Sequence, residues 1–140
     1  MKNILEGKGI KNGKLLSLSP KETVNACAEG AILVDVREEY LNSYKMFGVT
    51  EVIYLPMSNF KKDYRILPED RYLIIADSSG IKSKEATYFL MEKGYSKVAN
   101  MAGGLVEWER DKMPLNTDID ERLTGSCMCQ LKPRERKKKK

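Results

Sequence analysis

The chain has 140 residues, 41% of them apolar and 32% charged, which is enough to fill one folded core and too little for two. It contains no histidine, which excludes Ser-His-Asp and Cys-His catalysis and removes the usual neutral metal ligand. The net charge of +5 sits at one end: residues 131–140 carry seven Lys/Arg and one Glu, and the remainder nets −1, so no basic face is expected on the body. The three cysteines, Cys27, Cys127 and Cys129, are an odd and sparse set, unlike a secreted disulfide framework. No apolar run approaches the ~18 residues of a membrane span. The opening residues are too charged for a secretory h-region, and the chain reads as cytoplasmic with no membrane role.

Residues 1–13 read as an N-terminal extension, 14–115 as the domain and 116–140 as a flexible tail without apolar periodicity. Lys14 to Leu18 is a short apolar segment. Ser19-Pro20-Lys21-Glu22 then opens a helix, with Ser19 as N-cap, Pro20 at its first position and Glu22 at its third; Gly30 ends it. The run Ala31 to Val36 has strand length and is apolar on both faces, as in a parallel sheet. Arg37 to Tyr44 reads as a charged helix, and Val49 to Leu55 holds the next strand, closed by Pro56. Arg71 to Ala76 is a second buried run, followed by a helix from about Ile81 to Lys93. A short strand at Lys97-Val98-Ala99 and a last helix, Leu105 to Arg110, complete the order. This alternation predicts an α/β fold: a mostly parallel sheet with helices on both faces. In such sheets ligands sit beyond the carboxyl ends of the strands.

The strand end after Ala76 is the best candidate. Its loop, Asp77-Ser78-Ser79-Gly80-Ile81-Lys82-Ser83, joins a buried strand to a helix N-terminus, where unpaired amides and the positive end of the helix dipole favour an anion. Gly80 permits a positive φ, and Lys82 adds a full charge. The plainer reading is a strand–helix turn that Asp77 or Ser78 caps.

Three landmarks in order, Asp35-Val36-Arg37-Glu38, the Asp77–Ser83 loop and Ala102-Gly103-Gly104-Leu105-Val106-Glu107-Trp108, resemble a rhodanese domain over roughly residues 14 to 115. Only residues 47–56 match loosely. The resemblance implies a five-stranded, mainly parallel sheet flanked by helices. Active members resemble the pattern Cys, two or three variable residues, Gly, one residue, Arg, Ser, with a persulfide on the cysteine. Carried onto this chain, the cysteine position is Asp77, the glycine Gly80, the arginine Lys82 and the serine Ser83. The six-residue loop from Asp77 to Lys82 has the length of the sulfurtransferase branch, one shorter than that of the related phosphatases. By the same resemblance, Asp35 and Arg37 form a strand-end ion pair, Gly103 and Gly104 allow close backbone approach, and Trp108 packs in the core.

A carboxylate oxygen cannot accept a sulfane sulfur and hold it as a persulfide, and it is a far weaker nucleophile than a thiolate. The expectation is therefore a rhodanese-like domain whose loop lacks ordinary thiosulfate sulfurtransferase activity. It would act as an anion-binding or regulatory module whose partner is a protein or a small anion. Aspartyl-phosphate chemistry at Asp77 would need magnesium and further acidic ligands, and none adjoins it in sequence. No cofactor or resident metal is called for.

Cys27 lies among Val24, Ala26 and Ala28 and reads as a small buried hydrophobe. Cys127-Met128-Cys129 follows Gly125-Ser126 and precedes Lys132, Arg134, Arg136 and Lys137 to Lys140. Such thiols close only a strained, easily reduced ring, and neighbouring cations favour thiolate. The alternative to an inactive module is thus a sulfur-handling or thiol-redox protein that uses Cys127 and Cys129 with the loop. The basic end is suited to weak, salt-sensitive binding of polyanions. It carries no interleaved aromatic residue for base stacking.

Overall fold

The computed structural model describes residues 4, 5, 7–38 and 45–117. In chain order the strands are β1 (Ile10–Asn12), β2 (Leu15–Leu18), β3 (Ile32–Asp35), β4 (Lys45–Phe47), β5 (Val52–Tyr54), β6 (Leu73–Ala76), β7 (Val98–Met101) and β8 (Leu115–Thr117). The α-helices are α1 (Pro20–Ala28), α2 (Met57–Asp63), α3 (Ile81–Glu92) and α4 (Gly104–Arg110), with a 3₁₀ turn at Tyr64–Ile66.

The main sheet runs β1-β2-β7-β6-β3-β5, and β4 pairs with β8 in a separate two-stranded ribbon. Strands β2, β7, β6, β3 and β5 are parallel, and β1 is antiparallel to β2. Every residue of β3, β6 and β7 is buried, which explains why these strands read as unbroken rather than alternating runs. Their side chains still alternate between two cores. Leu33, Ile74, Ala99 and Met101 pack with Ala26 and Cys27 of α1 and Trp108 of α4. Val34, Ile75 and Val98 pack with Phe60 of α2 and with Ala86 and Leu90 of α3. Helices therefore cover both faces, as the sequence pattern predicts. No helix among the described residues is long and apolar enough to cross a membrane.

The sheet has six strands, not the five that the resemblance implies. The sixth is β1, from residues read as an extension; it folds back on β2 through Gly13, which takes φ +66°. The capping box at α1 is present, with Ser19 Oγ accepting from the Glu22 amide at 3.2 Å and Glu22 Oε1 from the Ser19 amide at 2.9 Å. Glu22 Oε2 also accepts from the Gly9 amide at 2.9 Å. One carboxylate thus caps the helix and holds the entry to β1.

Two other expectations are corrected. Arg37 and Glu38 are not helical, and Lys45–Phe47 is a strand; residues 39–44 lie outside the described residues. The reason is local: Arg37 folds back on Asp35, and Phe47 is drawn edge-on against Trp108, with ring centroids 4.9 Å apart. The tail does not begin at 116 either, because residues 115–117 pair with β4. Helix α2 went unpredicted since its N-cap, Pro56, offers no side-chain acceptor. Glu38 supplies the cap from outside, accepting from the Ser58 amide at 3.1 Å and its hydroxyl at 2.9 Å.

The amides of Ser19 and then Gly9 lower the Glu22 carboxyl below its ordinary value of 4.5. A lowered carboxylate stabilises the fold above its unfolded pKa and loses that contribution as pH falls through its folded one. Replacing Glu22 with Gln should therefore flatten the dependence of stability on pH below about 4.5. Urea unfolding of both proteins across the acid range measures this, and parallel pH profiles would contradict it.

Candidate functional site

Strands β3 and β6 are in register with Asp35 opposite Ala76, so Asp35 and Asp77 emerge side by side at the carboxyl end of the sheet. Asp77 is 5% exposed. Its Oδ1 accepts from the Gly80 amide at 2.5 Å and its Oδ2 from the Lys82 amide at 2.9 Å. Gly80 is the N-cap of α3, with φ +97° and no side chain to give. Asp77 therefore does the capping from three residues upstream, and the turn closes on a carboxylate belonging to the loop itself.

Lys82 takes part through its backbone. Its ammonium is exposed and makes no hydrogen bond or ion pair among the described residues. As the second residue of α3 it turns its amide inward and its side chain outward, so it meets Asp77 through a main-chain bond. Ser79 and Ile81 are exposed, Ser78 half-buried, and their amides donate to no group among the described residues.

The loop rests on the turn after β7. The amides of Leu105 and Val106 donate to the carbonyls of Asp77 and Ser78 at 2.9 and 3.1 Å. A Cβ on Gly104 would stand 2.4 Å from the Ser78 carbonyl carbon, and one on Gly80 2.8 Å from the Gly103 nitrogen. Both glycines are needed for this contact, as is the positive φ of Gly80.

Ser83 is turned inward. Its hydroxyl donates to Asn100 Oδ1 at 2.5 Å, and Asn100 Nδ2 reaches Ser17 Oγ at 3.4 Å. This buried relay ties the first turn of α3 to β7 and β2. Sequence reasoning did not single out Asn100; the signal was a lone amide inside a buried strand, where a polar side chain needs a partner.

Asp35 and Arg37 form a buried pair, 0% and 3% exposed. Arg37 Nη2 donates to Asp35 Oδ2 at 2.8 Å and to the Lys45 carbonyl at 2.8 Å, and Arg37 Nε donates to Asp35 Oδ1 at 3.0 Å. The guanidinium lies 5.1 Å from the Phe47 ring centroid, and Trp108 completes the stack with its indole N–H on the Pro114 carbonyl at 2.6 Å. Burial pushes the Asp35 carboxyl up, Arg37 pulls it back, and the charge of Asp77 adds to the rise. Cys27 is buried, and its thiol is pushed up to about 12 by that burial and by Glu51. Cys127 and Cys129 lie outside the described residues.

The rhodanese-like domain model matches residues 19–111. The chain belongs to this family. It is 32% identical over 90 residues to a sulfurtransferase of Allochromatium vinosum, an alignment covering 64% of this chain and 82% of that one. It is 28% identical over 100 residues to the thiosulfate sulfurtransferase GlpE of Haemophilus influenzae, covering 71% and 93%. Among solved structures, a rhodanese-related protein of Thermoplasma volcanium superposes with a TM-score of 0.64 at 21% identity over 71% of this chain and 96% of that one. The last similarity shows the shared fold. In this rhodanese-like chain the Asp77–Ser83 loop lies where a strand end, a helix start and a Gly-Gly turn converge.

Removing Arg37 would strand a buried carboxylate. Arg37→Leu should cost about 3–5 kcal/mol near neutral pH. Without the guanidinium the Asp35 carboxyl rises further, so acid neutralises the orphaned charge and the deficit against wild type should shrink as pH falls. Denaturant unfolding at neutral and mildly acidic pH reads both; a deficit that grows toward acid would be inconsistent with the pair as described.

Proposed function

We propose that this rhodanese-like domain does not carry sulfur on its loop and acts instead as a binding or regulatory module. The observation that supports the reading is the pair of main-chain bonds from Gly80 and Lys82 to the Asp77 carboxylate. In the pattern the loop resembles, Asp77 stands where a cysteine would carry the transferred sulfur. Its oxygens form no persulfide, and two amides of the loop that would otherwise meet an incoming anion are already taken. Sulfur handling is the activity named for its relatives, a sulfurtransferase and a thiosulfate sulfurtransferase. On this reading the chain keeps their scaffold without the step that makes a persulfide.

The same site retains some capacity for binding. The unused amides of Ser78, Ser79 and Ile81 and the outward ammonium of Lys82 favour an acidic side chain or a small anion at the rim. The Asp77 charge beneath them cancels part of that attraction, which fits a weak, reversible contact better than tight capture of a free anion.

A thiosulfate-to-cyanide assay tests the proposal. The wild-type chain should show no turnover above buffer, and Asp77→Cys should gain it. Adding Lys82→Arg should raise the gain, because a guanidinium donates bidentately where an ammonium cannot. The unfolding midpoint of each variant is followed alongside, since loss of the Asp77 cap costs about 1 kcal/mol. Robust turnover by wild type would end the proposal, as would folded cysteine variants that remain inert.

A further inference from the structure

The connection from α2 to β6 and the turn from α3 to β7 come together at the amino ends of the strands, opposite the Asp77 loop. Between them lies an open cleft of about 560 Å³, lined by Tyr64, Arg65, Glu69, Asp70, Lys93 and Tyr95. A small-molecule site has that size. Its floor is fixed. The hydroxyl of buried Tyr95 donates to the Leu67 carbonyl at 2.7 Å, with the Tyr64 carbonyl also in reach at 3.2 Å. The Tyr64 ring packs edge-on against Phe89, with centroids 5.1 Å apart.

The cleft carries both signs of charge, unpaired. Arg65 lies 5.6 Å and Lys93 5.9 Å from the centroid of the Tyr64 ring, so an aromatic side chain holds both cations in place. Neither makes an ion pair among the described residues, and neither does Glu69 or Asp70. The opposite charges are nonetheless close. Burial, then Glu69 and Tyr64, raise the Tyr95 hydroxyl above its ordinary value, and Arg65 pulls it back; both charges reach one atom. Lys93 is also the C-cap residue of α3, so the negative end of that helix dipole adjoins the cleft. Ring stacking and the helix end account for Arg65 and Lys93 as structural groups. They leave the carboxylates beside them without a role.

We propose that this cleft binds a small zwitterion of the amino-acid class, a free amino acid or a dipeptide with an apolar side chain. Its carboxylate meets Arg65 and Lys93, its ammonium meets Glu69 and Asp70, and its side chain lies on Tyr64 and Tyr95. A simple anion is attracted by two of the four charged groups and repelled by the other two, and so is a simple cation. A ligand that carries both signs gains from all four, and each of its ends makes charge-assisted hydrogen bonds. The cleft shares no residue with the Asp77 loop, so it stands whether or not that loop carries sulfur.

NMR titration of the full chain with L-phenylalanine and with glycyl-L-phenylalanine tests the proposal and separates the two sources. The amides of Glu69, Gly94 and Tyr95 should shift while that of Gly80 stays still. The better probe should saturate with a Kd on the order of 1 mM, and its length names the ligand. Acetylating its ammonium, or amidating its carboxylate, should each weaken binding about tenfold through loss of one charge-assisted contact. Glu69 and Asp70 are exposed, so Glu69→Gln with Asp70→Asn leaves the fold intact; in that protein the free and acetylated probes should bind alike. Free and capped probes that bind wild type equally well would overturn the proposal. So would shifts gathered around Gly80, no shift at Glu69, Gly94 and Tyr95 at millimolar probe, or an acetylation penalty that survives in the doubly neutralised protein.

Discussion

A buried carboxylate must find donors, and Asp77 finds them in the loop that it opens. Two main-chain amides, those of Gly80 and Lys82, satisfy it. This arrangement sets conditions on everything around it. Gly80 must hold φ +97° to aim its N–H backward, a conformation that side-chain-bearing residues rarely adopt. That same glycine faces the Gly103 nitrogen with no room for a Cβ, and Gly104 faces Ser78 in the same way. The loop after β6 and the turn after β7 are therefore one packed unit, stitched by the Leu105 and Val106 amides. Displacing any part of it would loosen the cap of α3.

Much of this was legible in the sequence, for physical reasons that differ between elements. The central strands were readable because burial on both faces leaves an unbroken apolar run. Helix α1 was readable because its capping box lies within four consecutive residues. The strand-to-helix loop after Ala76 was readable because a buried run, a polar turn and a glycine before a helix are local signals. What escaped depended on distant partners. Nothing near Met57 announces α2, since Glu38 caps it across twenty residues of chain. Residues 10–12 looked like an extension because their partner strand and the Glu22 carboxylate that holds Gly9 lie downstream. Asn100 looked unremarkable until Ser83 and Ser17 met it from either side. That Lys82 meets Asp77 through its amide and not its ammonium was not legible, because position in a helix, not side-chain chemistry, decides which part of a residue faces the turn.

The plain and the functional readings of Asp77 converge on the same atoms. A helix cap and a closed anion cradle both consist of a carboxylate on the first free amides of α3. Stability alone would be served by many residues at the N-cap itself. Here the N-cap is a glycine, and the acceptor is carried at the end of the strand instead. On the proposed reading, that placement sets a carboxylate at the floor of the loop, where an anionic group would otherwise settle.

The electrostatics of the strand ends strengthen that argument. Asp35 and Asp77 emerge from adjacent strands, and each carboxylate has its own compensation: a guanidinium for Asp35, amides for Asp77. Amides carry no net charge, so the Asp77 carboxylate has no counter-charge of the kind that Arg37 gives Asp35. Two unit charges about 4 Å apart repel by roughly 4 kcal/mol at an effective dielectric near 20, and a dianionic donor would feel more. The amides left over at Ser78, Ser79 and Ile81 each return about 1.5–3 kcal/mol when they bond a charged group, and the Lys82 ammonium sits out in solvent, where screening weakens it. Attraction and repulsion are then of similar size, so a free dianion gains little by entering. A carboxylate carried on a protein partner would have less to lose: its charge is single, and apolar contacts with exposed Ile81 and Val106 come with it. On the proposed reading, that balance favours a weakly held partner over a small free substrate.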